Sequence, residues 1–145
     1  MSKEEIRAKL RAEALKQLGK PYKYGAYWQE APERFDCSSF VQWVYKQVGI
    51  AIPRVSIEQA PYGRRIPAQI AKLRVGDLVF LRGHVGRYNR RFPQGIGHVV
   101  MVTGKDEFVH AKSRTKKGKE VGSVMLGKLT KLLKRKDITV VKRLV

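Results

Sequence analysis

The first eighteen residues carry apolar side chains at helical spacing, which predicts an amphipathic helix over residues 3–18. Ser2 followed by Glu5 has the spacing of a capping box, a pattern that marks a helix start. Gly19 and Pro21 mark its end, because glycine favours the position after a helix and proline cannot continue one. The apolar positions of this helix are Ile6, Leu10, Leu15 and Leu18.

A second helical pattern covers residues 38–48, and Gly49 can cap its end. Its apolar face consists of Phe40, Val41, Val44, Tyr45 and Val48. The pattern places Cys37 at or beside the first turn of this helix. Unpaired amides at a helix N-terminus stabilise a thiolate, so we expect this position to lower the pKa of Cys37.

The second half of the chain contains short runs rich in β-branched and aromatic residues, which are typical of strands. A tight turn at 104–106 joins two of them, and a short basic helix or turn is expected over 128–136. Helices followed by strands indicate an α+β domain. The predicted strands are 77–82, 96–103, 107–112, 120–127 and 138–145.

The chain has 145 residues, which suits a single domain over 1–145. Lysine and arginine number 31 against 12 acidic residues, giving a net charge of +19 and favouring anionic partners. Nucleic acid, acidic membrane and an anionic polymer such as a bacterial wall all fit this charge. No run of eighteen apolar residues predicts a transmembrane segment, and the polar start does not resemble a signal peptide, so the localisation stays open.

Two basic segments stand apart in this pattern. Residues 82–95 form a basic insertion between two predicted strands, with glycine and proline but no periodicity, and we interpret them as a mobile flap. Residues 128–145 form a basic C-terminal extension. Both add positive charge to the surface.

The candidate chemistry rests on Cys37, His98 and His110. If the strands that carry the two histidines pair around the turn at 104–106, the histidines become neighbours on one sheet. A thiol, a base and a group that orients the base form the arrangement of a nucleophilic site. A buried structural cysteine and two hydrogen-bonded histidines explain the same residues, and both interpretations stay open at this point. His84 lies in the polar insertion and is expected to be solvated.

Other classes of site find little support in the sequence. Cys37 and the histidines lack the close ligand pairs of a zinc site, so we expect no metal. No phosphate-binding or dinucleotide-binding loop is present, and no cofactor is expected. Basic residues spread along the chain do not indicate specific nucleic-acid recognition, although non-specific electrostatic binding stays possible.

Six segments in this order resemble the NlpC/P60 family of cysteine peptidases. The resemblance runs from about residue 19 to about residue 126. The matching segments are GKPYKYGA, FDCSSFVQWVYKQVGIAIPR, VSIEQA, LRVGDLVFL, IGHVVMVTG and FVHAKS.

The resemblance implies a papain-like α+β fold, with N-terminal helices packed on an antiparallel sheet of about five or six strands. It also implies cleavage of amide bonds in peptidoglycan peptides, commonly between D-glutamate and a diamino acid. Cys37 would be the nucleophile, His98 the general base and then acid, His110 the orienting group, and Tyr24 a donor to the oxyanion. The positions that would shape the substrate side of the cleft are Asp36, Ser38, Arg54 and Ser56.

The chain departs from the family pattern at two small positions. Ala26 and Ser39 stand where the family usually has glycine, and we expect both to add atoms near the cleft. The 82–95 segment is also longer than the usual link between those strands.

Two other functions stay open beside hydrolysis. A papain-like site can transfer acyl groups or cut other amides. A basic protein of this fold could instead bind nucleic acid or an anionic polymer without catalysis.

Overall fold

The computed structural model describes residues 1–26, 28–84 and 86–145, with the backbone alone at Trp28. Tyr27, in the aromatic loop, and Val85, in the insertion, lie outside the described residues. The described helices are α1 (Lys3–Lys16), α2 (Cys37–Lys46), α3 (Ser56–Gln59) and α4 (Leu129–Leu132), with short 3-10 turns at Trp28–Glu30 and Ile70–Lys72.

Six of the described strands form one antiparallel sheet in the order β1-β8-β2-β3-β4-β7. The remaining pair, β5 and β6, forms a separate hairpin. This architecture confirms the predicted α+β fold and the expected antiparallel sheet. The strands are β1 (Arg64–Ile66), β2 (Leu78–Leu81), β3 (His98–Gly104), β4 (Glu107–Lys112), β5 (Thr115–Lys116), β6 (Lys119–Glu120), β7 (Ser123–Gly127) and β8 (Ile138–Arg143).

Both faces of the sheet are buried at its centre, where successive residues of β2 and β3 alternate between two apolar clusters. In β2, Leu78 and Phe80 join the cluster beneath α1 and α2, whereas Val79 and Leu81 face the opposite side. Leu129 and Leu132 belong to that opposite cluster, so α4 covers the second face. The uninterrupted apolar sequence of β2 follows from this burial on both sides.

The bounds of α1, α2, β2, β3, β4 and β8 agree with the sequence pattern to within about two residues, whereas the predicted strand 120–127 begins at Ser123 and β1 was not predicted. The predicted helix 3–18 ends at Lys16, and the predicted strand 96–103 begins at His98. The β5–β6 hairpin was not predicted, because its sequence is charged and short. Lys117 and Gly118 both have positive φ at its turn, which suits a tight hairpin.

The 82–95 insertion, which was interpreted as a mobile flap, is bonded to the domain at its base. Arg87 and Ile96 exchange two backbone hydrogen bonds of 2.9 and 2.8 Å. Phe92 is buried in the main core. The insertion therefore has a fixed base and a buried aromatic anchor beside the start of β3.

The C-terminal segment 128–145 is part of the sheet, since β8 lies between β1 and β2. Arg143 donates to Asp77 through Nε at 2.8 Å and Nη2 at 2.7 Å, and both side chains are buried. This ion pair joins the last strand to the residue that precedes β2. The basic extension thus contributes to the fold itself.

Candidate active site

The N-terminus of α2 is fixed by a reciprocal capping box. Asp36 is the N-cap, and its Oδ1 accepts from the backbone N–H of Ser39 at 2.8 Å. Oγ of Ser39 in turn accepts from the backbone N–H of Asp36 at 2.9 Å. Cys37 is therefore the first residue of the helix, where backbone amides have no acceptor within the helix.

Arg54 connects this helix start to the neighbouring loop. Its guanidinium donates from Nη1 to Oδ1 of Asp36 at 3.1 Å and from Nη2 to Oδ2 at 2.7 Å. It also donates to Oγ of Ser38 at 2.9 Å and to the carbonyl of Ala26 at 2.6 Å. The predicted substrate-side residues Asp36, Ser38, Arg54 and Ser56 all line the same cleft, but the first three are largely bonded to one another.

The two histidines are brought together on adjacent strands, as the turn at 104–106 predicts. Met101 pairs with Val109 in the β3–β4 ladder, which places His98 and His110 diagonally across the strands. Nε2 of His98 lies 2.8 Å from Nδ1 of His110. This contact leaves Nδ1 of His98 as the ring nitrogen available to another group.

Cys37, His98 and His110 line one cleft together. The cleft is formed by the start of α2, the segment around the start of α3, the insertion, the start of β3 and the end of β4. Backbone amides of Ser38 and Val99 donate to the thiol of Cys37, so this thiol lies beside the residue that follows His98. A thiol, an imidazole and a second imidazole are thus arranged around one accessible space.

The pKa of the Cys37 thiol differs from the value expected at a helix N-terminus. Burial, together with the negative charge of Asp36, raises the pKa of the Cys37 thiol to about 12. The two amides and Arg54 act in the opposite direction without overcoming burial. The expected lowering of this pKa was wrong, because the sequence shows the helix end but not the depth of the thiol.

Both histidines are neutral near pH 7. Burial, together with the positive charges of Arg135 and Lys112, lowers the pKa of His98 to about 4. Burial also lowers the pKa of His110 to about 3. The resting site therefore contains a neutral thiol and a neutral imidazole.

Two tyrosines lie at the cleft. Tyr24 is 71% exposed and lines the cleft at its rim. Tyr22 is half-buried in the same cleft, and its pKa is raised by burial and by the neighbouring Cys37 thiol. Tyr22 was not predicted as a site residue, although the Pro-Tyr pair of the quoted GKPYKYGA segment contains it.

Ala26 and Ser39, which were expected to add atoms near the cleft, lie behind the residues that line it. Ala26 is fully buried, and only 2% of Ser39 is exposed. Neither residue is among those that line the cleft. The side chain of Ser39 is directed to the backbone of Asp36, which explains how the helix start accommodates it.

Gln59 is a further positioning residue that the sequence interpretation missed. Its Nε2 donates to the carbonyl of Ser38 at 3.0 Å and to the carbonyl of Pro53 at 2.8 Å. The side chain is almost fully buried. It therefore links the first turn of α2 to the loop that carries Arg54.

The described residues contain neither a cluster of metal ligands nor a membrane-spanning helix. No group of three or more His, Cys, Asp or Glu side chains is arranged to hold a metal ion in that part of the chain. None of the described helices has the length and apolar character needed to cross a membrane.

A sequence model of the NlpC/P60 family matches residues 19–133, which is most of the chain. The chain belongs to the NlpC/P60 family. This confirms the resemblance carried by the six ordered segments, including those that contain Cys37, His98 and His110. Proteins of the family are peptidases and hydrolases, among them peptidoglycan endopeptidases.

Two named relatives are similar to most of this chain but are much longer proteins. The probable endopeptidase p60 of Listeria innocua is 37% identical over 101 residues, which are 70% of this chain and 19% of that protein. A gamma-DL-glutamyl hydrolase of Bacillus subtilis is 33% identical over 106 residues, 72% of this chain and 23% of that protein. The chain thus spans about a fifth of the length of these two curated relatives.

A solved structure matches this NlpC/P60 domain over nearly its full length. The NlpC/p60 domain of the peptidoglycan hydrolase SagA is 29% identical, with a TM-score of 0.67. The match covers 94% of this chain and 97% of that one.

The family assignment offers no support for nucleic-acid binding.

Proposed function

We propose that this chain is a cysteine peptidase that hydrolyses amide bonds in bacterial peptidoglycan stem peptides, between γ-D-glutamate and a diamino acid. The observation that carries the proposal is the convergence of Cys37, His98 and His110 on one cleft, with the 2.8 Å contact between the histidine rings. The family assignment supports the peptidoglycan substrate. The similarity to a gamma-DL-glutamyl hydrolase supports the γ-glutamyl bond.

The protonation states define the roles of the two histidines. Nδ1 of His98 must be unprotonated to accept the thiol proton, so Nε2 of His98 carries a hydrogen and donates it to Nδ1 of His110. His110 therefore orients the ring of His98 and stabilises its charged form during the reaction. An amide side chain in place of His110 could still accept this hydrogen bond and orient the ring of His98. It would stabilise the charged form of His98 less strongly.

The reaction proceeds through a thioester. The thiol of Cys37 transfers its proton to His98, and the thiolate attacks the amide carbonyl. The backbone amides at the start of α2 donate to the developing oxyanion, where the helix dipole favours negative charge. Protonated His98 then gives its proton to the leaving amine, and water activated by His98 hydrolyses the thioester.

A tyrosine hydroxyl completes the oxyanion site in this proposal. We assign this role to Tyr22 in preference to Tyr24, the residue predicted from the family resemblance. Tyr22 is half-buried and interacts electrostatically with the Cys37 thiol, while Tyr24 is largely exposed. Its raised pKa keeps the hydroxyl protonated, so it can donate a hydrogen bond to the oxyanion.

The charge of the cleft suits an anionic peptide. Among the described residues that line it, the cationic side chains are Arg54, Arg87, Lys112 and Arg135, and Asp36 is the one carboxylate. The net charge of +19 also favours retention of the protein on an anionic wall polymer. High salt should then raise the apparent KM on whole walls while leaving turnover of a small soluble peptide nearly unchanged.

Digestion of purified cell walls tests the proposal. The wild-type protein should release fragments with new carboxyl and amino ends at the γ-D-glutamyl bond, as determined by mass spectrometry. The Cys37→Ala variant, with unchanged melting temperature, should release none. Equal release by both proteins would contradict the nucleophile assignment, and products carrying a new amide would indicate acyl transfer in place of hydrolysis.

A further inference from the structure

A second concavity adjoins the catalytic cleft on the side of His98. It is lined by the beginning of the insertion and by the segment that leads into β8. Gly83, His84 and Arg135 line both spaces, so the concavity continues the cleft. Its remaining lining residues are Arg82, Gln94, Lys136, Asp137, Ile138 and Thr139.

Arg135 is held in one orientation at the junction of these two spaces. It donates to Asp137 from Nε at 2.8 Å and from Nη2 at 2.7 Å. Asp137 is itself anchored to the insertion by two hydrogen bonds. Its Oδ2 accepts from the backbone N–H of Gly83 at 3.2 Å, and its backbone carbonyl accepts from the backbone N–H of Arg82 at 2.9 Å. The guanidinium is thereby fixed to the base of the insertion.

This fixed guanidinium keeps binding capacity for an anion. A guanidinium has five N–H donors, and Asp137 occupies two of them, which leaves three at Nη1 and Nη2. The side chain is 45% exposed. Arg82 and Lys136 add two further positive charges to the concavity, while Asp137 is the one carboxylate among its described lining residues. The local charge therefore favours an anionic group.

The position of Arg135 relates the concavity to one half of the substrate. The charge of Arg135 acts on both His98 and His110. His98 delivers a proton to the leaving amine in the proposed reaction, so the amine half of the substrate extends past His98. The concavity lies in that direction, and it offers a preoriented cation to the amine half.

We propose that Arg135, oriented by Asp137, binds a carboxylate carried by the residue that provides the leaving amine. The inference rests on the proposed amide hydrolysis and adds a specificity determinant from the segment between α4 and β8. Arg135 selects substrates in which that carboxylate is free over those in which it is a carboxamide. A bidentate contact with a carboxylate requires the planar fork of arginine, which a lysine lacks.

Two synthetic peptides test this inference. They share one γ-D-glutamyl amide bond and differ only in a carboxylate or a carboxamide on the amine-side residue. The wild-type protein should cleave the free acid with a kcat/KM about 10- to 100-fold higher, the range expected for a charge-assisted hydrogen bond. Arg135→Gln should reduce this preference to less than about threefold, by slowing cleavage of the acid peptide.

Two variants serve as controls for Arg135→Gln. Lys134→Gln removes one positive charge from the adjacent exposed residue, which lines neither space, and should keep the full preference. Arg135→Lys keeps the charge and should show an intermediate preference. These comparisons measure a ratio between two substrates, so a general loss of stability does not imitate the expected result.

The outcomes separate this inference from the proposed function. If the wild-type protein cleaves both peptides equally, or if Arg135→Gln keeps the preference, the carboxylate site is wrong while the peptidase activity stands. If the wild-type protein cleaves neither peptide, nor cell walls, the proposed function and the inference fail together.

Discussion

Replacing Ser39 tests how the N-terminus of α2 is held in place beside the nucleophile. Oγ of Ser39 accepts from the buried backbone N–H of Asp36 at 2.9 Å. Ser39→Ala leaves this amide without its acceptor, and an unsatisfied buried donor costs about 1–3 kcal/mol. Ser39→Gly adds the lower helix propensity of glycine, about 0.5 kcal/mol relative to serine.

The expected loss is large enough to measure by urea unfolding. The free energy of unfolding should fall by about 2 kcal/mol for Ser39→Ala and slightly more for Ser39→Gly. The melting temperature should fall by about 4–8 °C in a chain of this size. Because Ser39 does not line the cleft, kcat/KM on a small peptide should change by less than about threefold at temperatures where the variants are folded.

The first turn of α1 provides a matched control. Glu5 accepts from the backbone N–H of Ser2 at 3.0 Å in the same relative position, but this capping box is exposed. Water can replace the lost acceptor there, so Glu5→Ala should cost less than about 1 kcal/mol. Wild-type stability of both Ser39 variants, or a changed substrate preference, would refute a buried capping role for Ser39.

Three other predictions follow from the charges of the site. The acid limb of kcat/KM should lie below about pH 5, because the lowered pKa of His98 keeps its accepting form neutral down to about pH 4; a limb near pH 6.5 would contradict this. The alkylation rate of Cys37 by iodoacetamide should still rise above pH 9, because its pKa is about 12; a plateau at pH 7 would indicate a thiolate in the resting site. Arg54→Lys should lower the free energy of unfolding by about 1–3 kcal/mol, since lysine cannot reproduce the two-pronged contact with Asp36, and urea unfolding at the wild-type midpoint would contradict that role.

The parts of the fold with strong periodicity were predictable from the sequence. The apolar spacing of residues 38–48 predicted α2, and the strand pattern around the turn at 104–106 predicted that His98 and His110 are neighbours. These features depend on local sequence and on one short turn. The six ordered sequence motifs then identified the family without any structural information.

Features that depend on depth and on distant contacts were not predictable in the same way. The pKa of Cys37 was expected to fall, but burial by residues far along the chain raises it. The capping contact of Ser39 was not predicted, because the direction of a side chain in the first helical turn depends on its hydrogen-bond partner. The contact between Asp137 and the backbone of Gly83 in the insertion joins segments about 50 residues apart, which no periodicity reveals.

The most direct test of the central claim is the cleavage rate of one defined stem peptide, measured by mass spectrometry for the wild-type protein and for Cys37→Ala. The peptide contains a single γ-D-glutamyl bond to a diamino acid. The account predicts the two hydrolysis products from the wild-type protein and a rate at least about 10³-fold lower for the variant, since removal of a nucleophile eliminates the covalent route. A Cys37→Ala rate within about tenfold of the wild-type rate would contradict it.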